Sequence, residues 1–381
     1  MKVTIHIVAT IVGAFLCVPL FLGYACHHIT PDFDRDERVD FVFNLDTCES
    51  ENVEPTVYTD LRFIPLDNKR ECLLSNVGRL KVTDVGFYIF NDTELPSVFL
   101  FNEDGSFNHQ VGEVGRSKSE YQNIMDITAN HKGDTVAIMT LTDVKLYDMQ
   151  GRFLSSFPNR EKQRWENILY TPAGFICSRN YRGADCLVAI YDKKFSGKRK
   201  LVPANEEWVT GEPPYTNNVV QSDGEYLCYL DMFNSSFYVM KKDCLNRLCQ
   251  YKLTSEKILS LDNFAEKGRD YIYSYILANH VIKGRMLYED DSIGFEIDLE
   301  HNTFRFCETE GLFVSFMDYH QGYYYSIVKP TDILNYHLND EVIFLNQFTP
   351  SIDSLRKAFA PYKDQLSEKN NYYVLKMKAK R

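Results

Sequence analysis

The sequence has little of what most recognisable chemistry is built from. It has no dense basic run: 42 Lys+Arg stand against 53 Asp+Glu, a net charge of −11 spread along the chain. Holding nucleic-acid phosphates takes a basic stripe, so a nucleic-acid partner is excluded. It has ten cysteines but no Cys-x-x-Cys pair, and therefore no zinc-finger framework. It has no nucleophile elbow and no local Ser/His/Asp set. Gly112-Glu-Val-Gly115, with Lys118 nearby, lacks the spacing and the strand-to-helix junction of a phosphate loop. Helical periodicity is almost missing from 39–330, which argues against bundles and against alternating helices and strands.

What is there is aromatic. The chain of 381 residues is 44% hydrophobic and carries 25 Tyr and 26 Phe. Such side chains pack well on a pleated surface, so the composition favours strands and a sizeable core. Lys2 is the only charged side chain before Asp32, and 7–25 is nearly continuous apolar sequence ending at Cys26. This reads as a signal peptide over 1–25. Leu20–Cys26 is similar to a lipobox, which makes Cys26 the expected lipidation site, 26–38 a lipid-anchored tether, and the location the cell envelope, in an outer-membrane lipoprotein facing the periplasm or the surface. An uncleaved anchor is the alternative that the apolar length permits. Eight cysteines remain beyond the leader and Cys26. Cys177 and Cys186 flank one expected turn and Cys244 and Cys249 another; buried free thiols are the expected state, cross-strand bridges the alternative.

One hairpin is written repeatedly. "VFLFNEDGSFNHQVG" (98–112) returns as "VKLYDMQGRFLSSFP" (144–158), with Gly105 on Gly151 and Phe107 on Phe153. Weaker copies lie at 188–202, 236–253 and 294–308. Spacings near those of a four-stranded propeller blade explain the repetition: a lone blade cannot bury both faces, and radial stacking does. The expected fold is all-β, a six-bladed β-propeller of four-stranded antiparallel blades over 39–381. Two stretches depart from the pattern. Residues 262–282 read as a helix or as a long strand with a loop. Residues 351–369 read as a helical insertion, with Ser351 as cap, Ile352, Leu355 and Phe359 on one face, and Pro361 ending or kinking it. The last strand, 371–380, is placed to close the ring.

The stretch 61–92, "LRFIPLDNKRECLLSNVGRLKVTDVGFYIFND", resembles the opening blade of the six-bladed propeller lipoproteins of Bacteroides-like bacteria. Gly112, Gly115, Glu120 and Tyr121 match the family's most typical segment, while Ser117-Lys118-Ser119 replace its Gly-Pro-Gly. Residues 322–334 and 370–380 are similar to its closing segments. The resemblance implies a propeller of NHL-like or TolB-like shape and no general activity.

Chemistry is sparser. The loop 205–218 carries Trp208 and Tyr215 beside Pro213-Pro214; a stiff aromatic loop is preorganised for a glycan or peptide, so Trp208 and Tyr215 are the candidate ligand-binding residues. Residues 288–292, "YEDDS", group three carboxylates that calcium can use, though a solvated hairpin tip is the expected role. His131, His280, His301 and His320 share no ligand spacing, so hydrogen-bonded structural histidines are expected. No catalytic residue stands out. The expected function is a non-catalytic binding or scaffold role, with a glycan, peptide or envelope protein as partner. The alternative is a lactonase-like, metal-dependent hydrolase or lyase. No cofactor is expected, apart from a divalent cation, calcium, left open for the central channel.

Overall fold

A computed structural model describes residues 39–48, 58–159, 164–179, 184–203, 220–242, 244–258, 270–289, 291–307, 317–331, 357–367 and 369–379. The leader, Cys26 and the loop bearing Trp208 and Tyr215 lie outside them. The strands form six sheets arranged as a propeller ring. From the innermost strand outward, the first blade is Val77–Thr83, Gly86–Asn91, Ser97–Phe101 and Phe107–Gln110. The second is Asp126–Ala129, Thr135–Met139, Asp143–Asp148 and Phe153–Pro158. The third is Asn167–Thr171, Gly174–Ser178, Cys186–Tyr191 and Arg199–Pro203. The fourth is Gln221–Ser222, Tyr226–Asp231, Ser236–Lys241 and Cys244–Thr254. The fifth is Tyr271–Ala278, Val281–Tyr288, Asp291–Asp298 and Thr303–Cys307. All five copies of the repeated hairpin are therefore the third and fourth strands of successive blades.

The sixth blade breaks the sequence order because it joins the chain ends. Asp318–His320, Tyr323–Val328 and Tyr373–Ala379 supply three strands, and Tyr58–Pro65 supplies the outermost, paired antiparallel with Phe63 opposite Leu375. Shared backbone pairing thus closes the ring. Asn371 reinforces the closure. Its Nδ2 donates to the carbonyls of Asp67 and Cys72, each at 2.9 Å, and its Oδ1 accepts from the Leu74 N–H at 3.1 Å.

Two details differ from the sequence reading. Val39–Asn44 adds to the fourth blade as a fifth strand, parallel to Cys244–Thr254. Cys244 and Cys249 lie on that one long strand, so the segment between them is not a turn. The cysteines at 48, 72, 177, 186, 228, 249 and 307 are free thiols. Of 262–282, residues 262–269 lie outside the described residues, and the remainder holds the strand Tyr271–Ala278, a two-residue turn and the start of Val281–Tyr288. The expected insertion is described only from 357; it holds a short 3-10 helix, Ala360–Gln365, with Pro361 in its first turn. Residues 357–359 are α-helical and give way to it just before Pro361, whose missing N–H and fixed φ do not continue an α-helix. Ser351, Ile352 and Leu355 lie outside the described residues. Among the described residues, no helix is long and apolar enough to cross a membrane.

The core sits between blades, and period-two alternation puts it there. In Gly86–Asn91, every residue of which is buried, Phe87 and Ile89 pack with Tyr325 and Val374 of the sixth blade. Tyr88 and Phe90 point the other way and pack with Ile127, Val136 and Ile138 of the second. Each such side chain contributes about 1.5–3 kcal/mol on burial, so both faces of a blade hold it in the ring.

Polar contacts near the axis set the stagger between blades. Asp126 takes a bidentate contact from Arg79 of the first blade, at 2.7 and 2.9 Å, and the Ile168 N–H of the third at 2.8 Å. Asp318 of the sixth blade accepts from Lys81 Nζ at 2.9 Å and from the Val82 N–H at 2.6 Å.

Candidate functional site

The innermost strands of the sixth, first and second blades are neighbours in the ring. The tight turns that lead from each of them into the next strand therefore meet at one end of the axis. Asp84 stands on the first blade's turn and His131 on the second's, while His320 ends the sixth blade's innermost strand immediately before its turn. Their side chains converge. His320 Nε2 lies 3.0 Å from Asp84 Oδ1, and His131 Nε2 lies 3.7 Å from the same oxygen. The two imidazole rings are 4.4 Å apart, tilted by 46°. One ligating atom from each residue falls within 4.8 Å of the other two.

The turns are braced. The Asp84 N–H donates to the carbonyl of His131 at 3.1 Å. The buried Tyr88 hydroxyl donates to the carbonyl of Gly133 at 2.7 Å. Gly133 adopts φ +75°, and a Cβ there would stand 2.5 Å from Thr83 Oγ1 and from Val85 Cγ2. Only glycine fits so close an approach in the left-handed region. Gln321 donates its amide to Asp84 Oδ1 at 2.7 Å. The side chains grade outward: His320 is 8% exposed, Asp84 38% and His131 64%. Burial holds the His320 imidazole below the ordinary histidine value, and the adjacent His131 pushes the same way.

Asp84 and His320 also line a cleft of about 500 Å³ between the first and sixth blades. Its walls include Phe87, Tyr323, Tyr325 and Tyr362, the carboxylates of Glu103 and Asp104, and the cations of Arg62 and Lys376. Lys376 Nζ sits 4.2 Å above the Tyr323 ring. The Tyr323 hydroxyl donates to Asp60 Oδ2 at 2.8 Å. The tyrosine run 323–325 is thus divided by face: Tyr324 lies in the core on one side of the strand, while Tyr323 and the more buried Tyr325 border the cleft on the other.

The other sequence candidates separate from this site. His280 is held between Glu300 at 2.8 Å and Glu225 at 3.0 Å, and His301 by Asp298 at 2.9 Å. These two are hydrogen-bonded histidines of the expected kind. The 288–292 stretch is a hairpin tip between two strands of the fifth blade, with Asp290 outside the described residues. The 112–121 loop joins the first blade to the second and is anchored by its own side chains: the Tyr121 hydroxyl donates to the Val111 carbonyl at 3.0 Å and Glu120 accepts from the Ser117 N–H at 2.8 Å. Asp84 was missed. It shares with both histidines one local pattern that spacing along the chain does not reveal: each stands two residues before a positive-φ glycine, at Gly86, Gly133 and Gly322.

The fold and its inter-blade seams define a six-bladed β-propeller. The chain belongs to the family described as a domain of unknown function, DUF4934, which matches residues 41–378. It is similar to the crystal structure of a Bacteroides fragilis protein described as exported, at TM-score 0.61 and 15% identity, over 90% of this chain and 100% of that one. It is also similar to a DUF4221 family member from Bacteroides vulgatus, at TM-score 0.52 and 11% identity, over 86% of this chain and 98% of that one. Identities this low carry the fold and nothing finer. Among curated proteins none matches this sequence.

Proposed function

We propose that this propeller is a non-catalytic protein of the cell envelope, lipid-anchored through Cys26, and that it holds a peptide segment of a partner protein in the cleft between its first and last blades. The observation that carries the reading is the cleft's lining. Asp84, Glu103 and Asp104 offer negative charge and Arg62 and Lys376 positive charge around an aromatic floor. An extended peptide offers both signs and apolar side chains at once. A glycan fits less well, because its stacking partner Tyr323 already carries Lys376 on one face. The apolar leader and the exported character given to the Bacteroides fragilis relative support export.

The test is a displayed random-peptide selection on the purified propeller. Peptides that bind wild type and lose at least about 10-fold in affinity to Lys376→Glu support the reading. No selected peptide, together with a glycan-array signal abolished by Trp208→Ala, overturns it in favour of the loop 205–218. Mass spectrometry of the mature N-terminus tests the anchor, since an unmodified Cys26 within an intact leader contradicts it. A second reading, a metal-dependent hydrolase or lyase, is favoured by the carboxylate–histidine cluster at the cleft's inner end; it predicts turnover that a chelator stops.

A further inference from the structure

We infer that Asp84, His131 and His320 form a binding site for a zinc-like divalent transition metal, built at equivalent turns of three consecutive blades. The site shares Asp84 and His320 with the cleft of the peptide reading, but metal binding requires neither a peptide nor catalysis and is tested without either.

The donor set comes first. Two imidazoles and one carboxylate suit zinc and its late first-row neighbours, whereas calcium takes six to eight oxygens. Metal–donor bonds of about 2.0–2.1 Å in a tetrahedron put donors roughly 3.3 Å apart. The two separations to Asp84 Oδ1 are 3.0 Å and 3.7 Å, each within a few tenths of an ångström of that value, and the two imidazole donors lie within 4.8 Å of each other, close enough for a rotation of the exposed His131 ring to close the set.

Support comes from the surroundings. The backbone bond from Asp84 to His131 and the seating of Gly133 against Thr83 fix the turns relative to each other before any ion arrives. Gln321 orients the carboxylate from outside the donor set, the role that outer partners play in metal sites. The exposed side of His131 leaves an entry path, and three protein donors leave one position open for water or for a donor atom from the cleft. A hydrogen bond between His320 and Asp84 alone would account for one contact. It gives no reason for a second histidine, from a different blade, to aim at the same oxygen.

The experiment is a zinc titration of the chelator-stripped, purified chain against a chromophoric competitor, with cobalt absorption as a second measure. One equivalent is expected to bind. His131→Ala, which changes an exposed side chain and leaves the core intact, is expected to weaken binding by about 100-fold or more, and Gln321→Ala by roughly 10-fold. His301→Ala is the control and leaves affinity unchanged. The cobalt spectrum is expected to show nitrogen and oxygen donors only. Absence of stoichiometric binding, unchanged affinity in a folded His131→Ala, or a thiolate charge-transfer band from the chain's cysteines would each overturn the inference.

Discussion

Replacing Asn371 tests the closure of the ring more sharply than any core substitution. Its side chain reaches back about three hundred residues and serves three backbone groups of the segment that follows the outermost strand of the sixth blade: Leu74 N–H at 3.1 Å and the carbonyls of Asp67 and Cys72 at 2.9 Å. Asn371 itself is 3% exposed. Asn371→Ala removes the side-chain partner of three buried groups, the Leu74 N–H, the Tyr372 N–H and the Cys72 carbonyl, while the Asp67 carbonyl keeps the Cys72 thiol at 3.3 Å. At about 1–3 kcal/mol for each buried group left unpaired, the loss is roughly 3–5 kcal/mol. Asn371→Asp is nearly isosteric and keeps the acceptor for Leu74, yet it aims an oxygen at two carbonyls. At neutral pH it is expected to destabilise at least as much as alanine, and to recover in part on acidification, when the protonated acid regains one donor. Urea unfolding followed by circular dichroism and by the fluorescence of the two tryptophans, Trp165 and Trp208, measures both variants, provided the two probes coincide. A cost below about 1 kcal/mol for alanine, or an aspartate variant as stable as wild type at neutral pH, refutes the claim that these bonds fasten the ends.

Other perturbations probe the inner ring and the charged turns. Asp126→Ala strands the poorly exposed Arg79 guanidinium, and unfolding is expected to cost about 3–5 kcal/mol less; a loss under about 1 kcal/mol contradicts its role between the first three blades. Although burial pulls the His280 imidazole down, Glu300, Asp223 and Glu225 outweigh it and raise its pKa. Its contribution is therefore full below the ordinary histidine value near 6.5 and is lost as pH rises through the raised folded value; thermal melts of His280→Gln against wild type should converge above that window, and a constant gap counts against it. Gly133→Ala must strain a left-handed turn and push Thr83 and Val85 aside, so zinc affinity is expected to fall at least about 10-fold in a chain whose strand content is unchanged; undiminished affinity shows that the turn does not position His131.

The architecture was legible because it is written in a local code. The hairpins at 98–112 and 144–158 carry alternating apolar residues about a glycine, and period-two alternation is what sends Phe87 and Ile89 to one seam and Tyr88 and Phe90 to the other. The fifth strand of the fourth blade was not legible: Val39–Asn44 pairs in parallel with residues more than two hundred positions away, and nothing in "VDFVFN" names its partner. The turn read between Cys244 and Cys249 failed because Leu245–Leu248 carries turn-like Asn and Arg inside a strand that its neighbours extend. The histidines were seen singly and their meeting was not, since spacing along the chain detects ligands on one element and these come from three.

The convergence follows from the same geometry that repeats the hairpin. In a propeller, equivalent positions of adjacent blades are brought together by the rotation that relates the blades, however far apart they lie in the chain. A residue two places before the turn glycine of one innermost strand therefore meets its counterparts on either side, as Asp84 meets His131 and His320. In the third and fourth blades the corresponding positions are Pro172 and Ser222, and neither is an imidazole or a carboxylate. The fifth blade's turn carries His280, but that imidazole is engaged by Glu225 and Glu300, so the converging donors lie on one arc of the ring. That arc also contains the closure seam and the cleft, so Asp84 and His320 belong to both features. An ion held there places positive charge at the cleft's inner end and must change the affinity of an anionic group bound in it, by the same factor that the bound group changes the affinity for the ion.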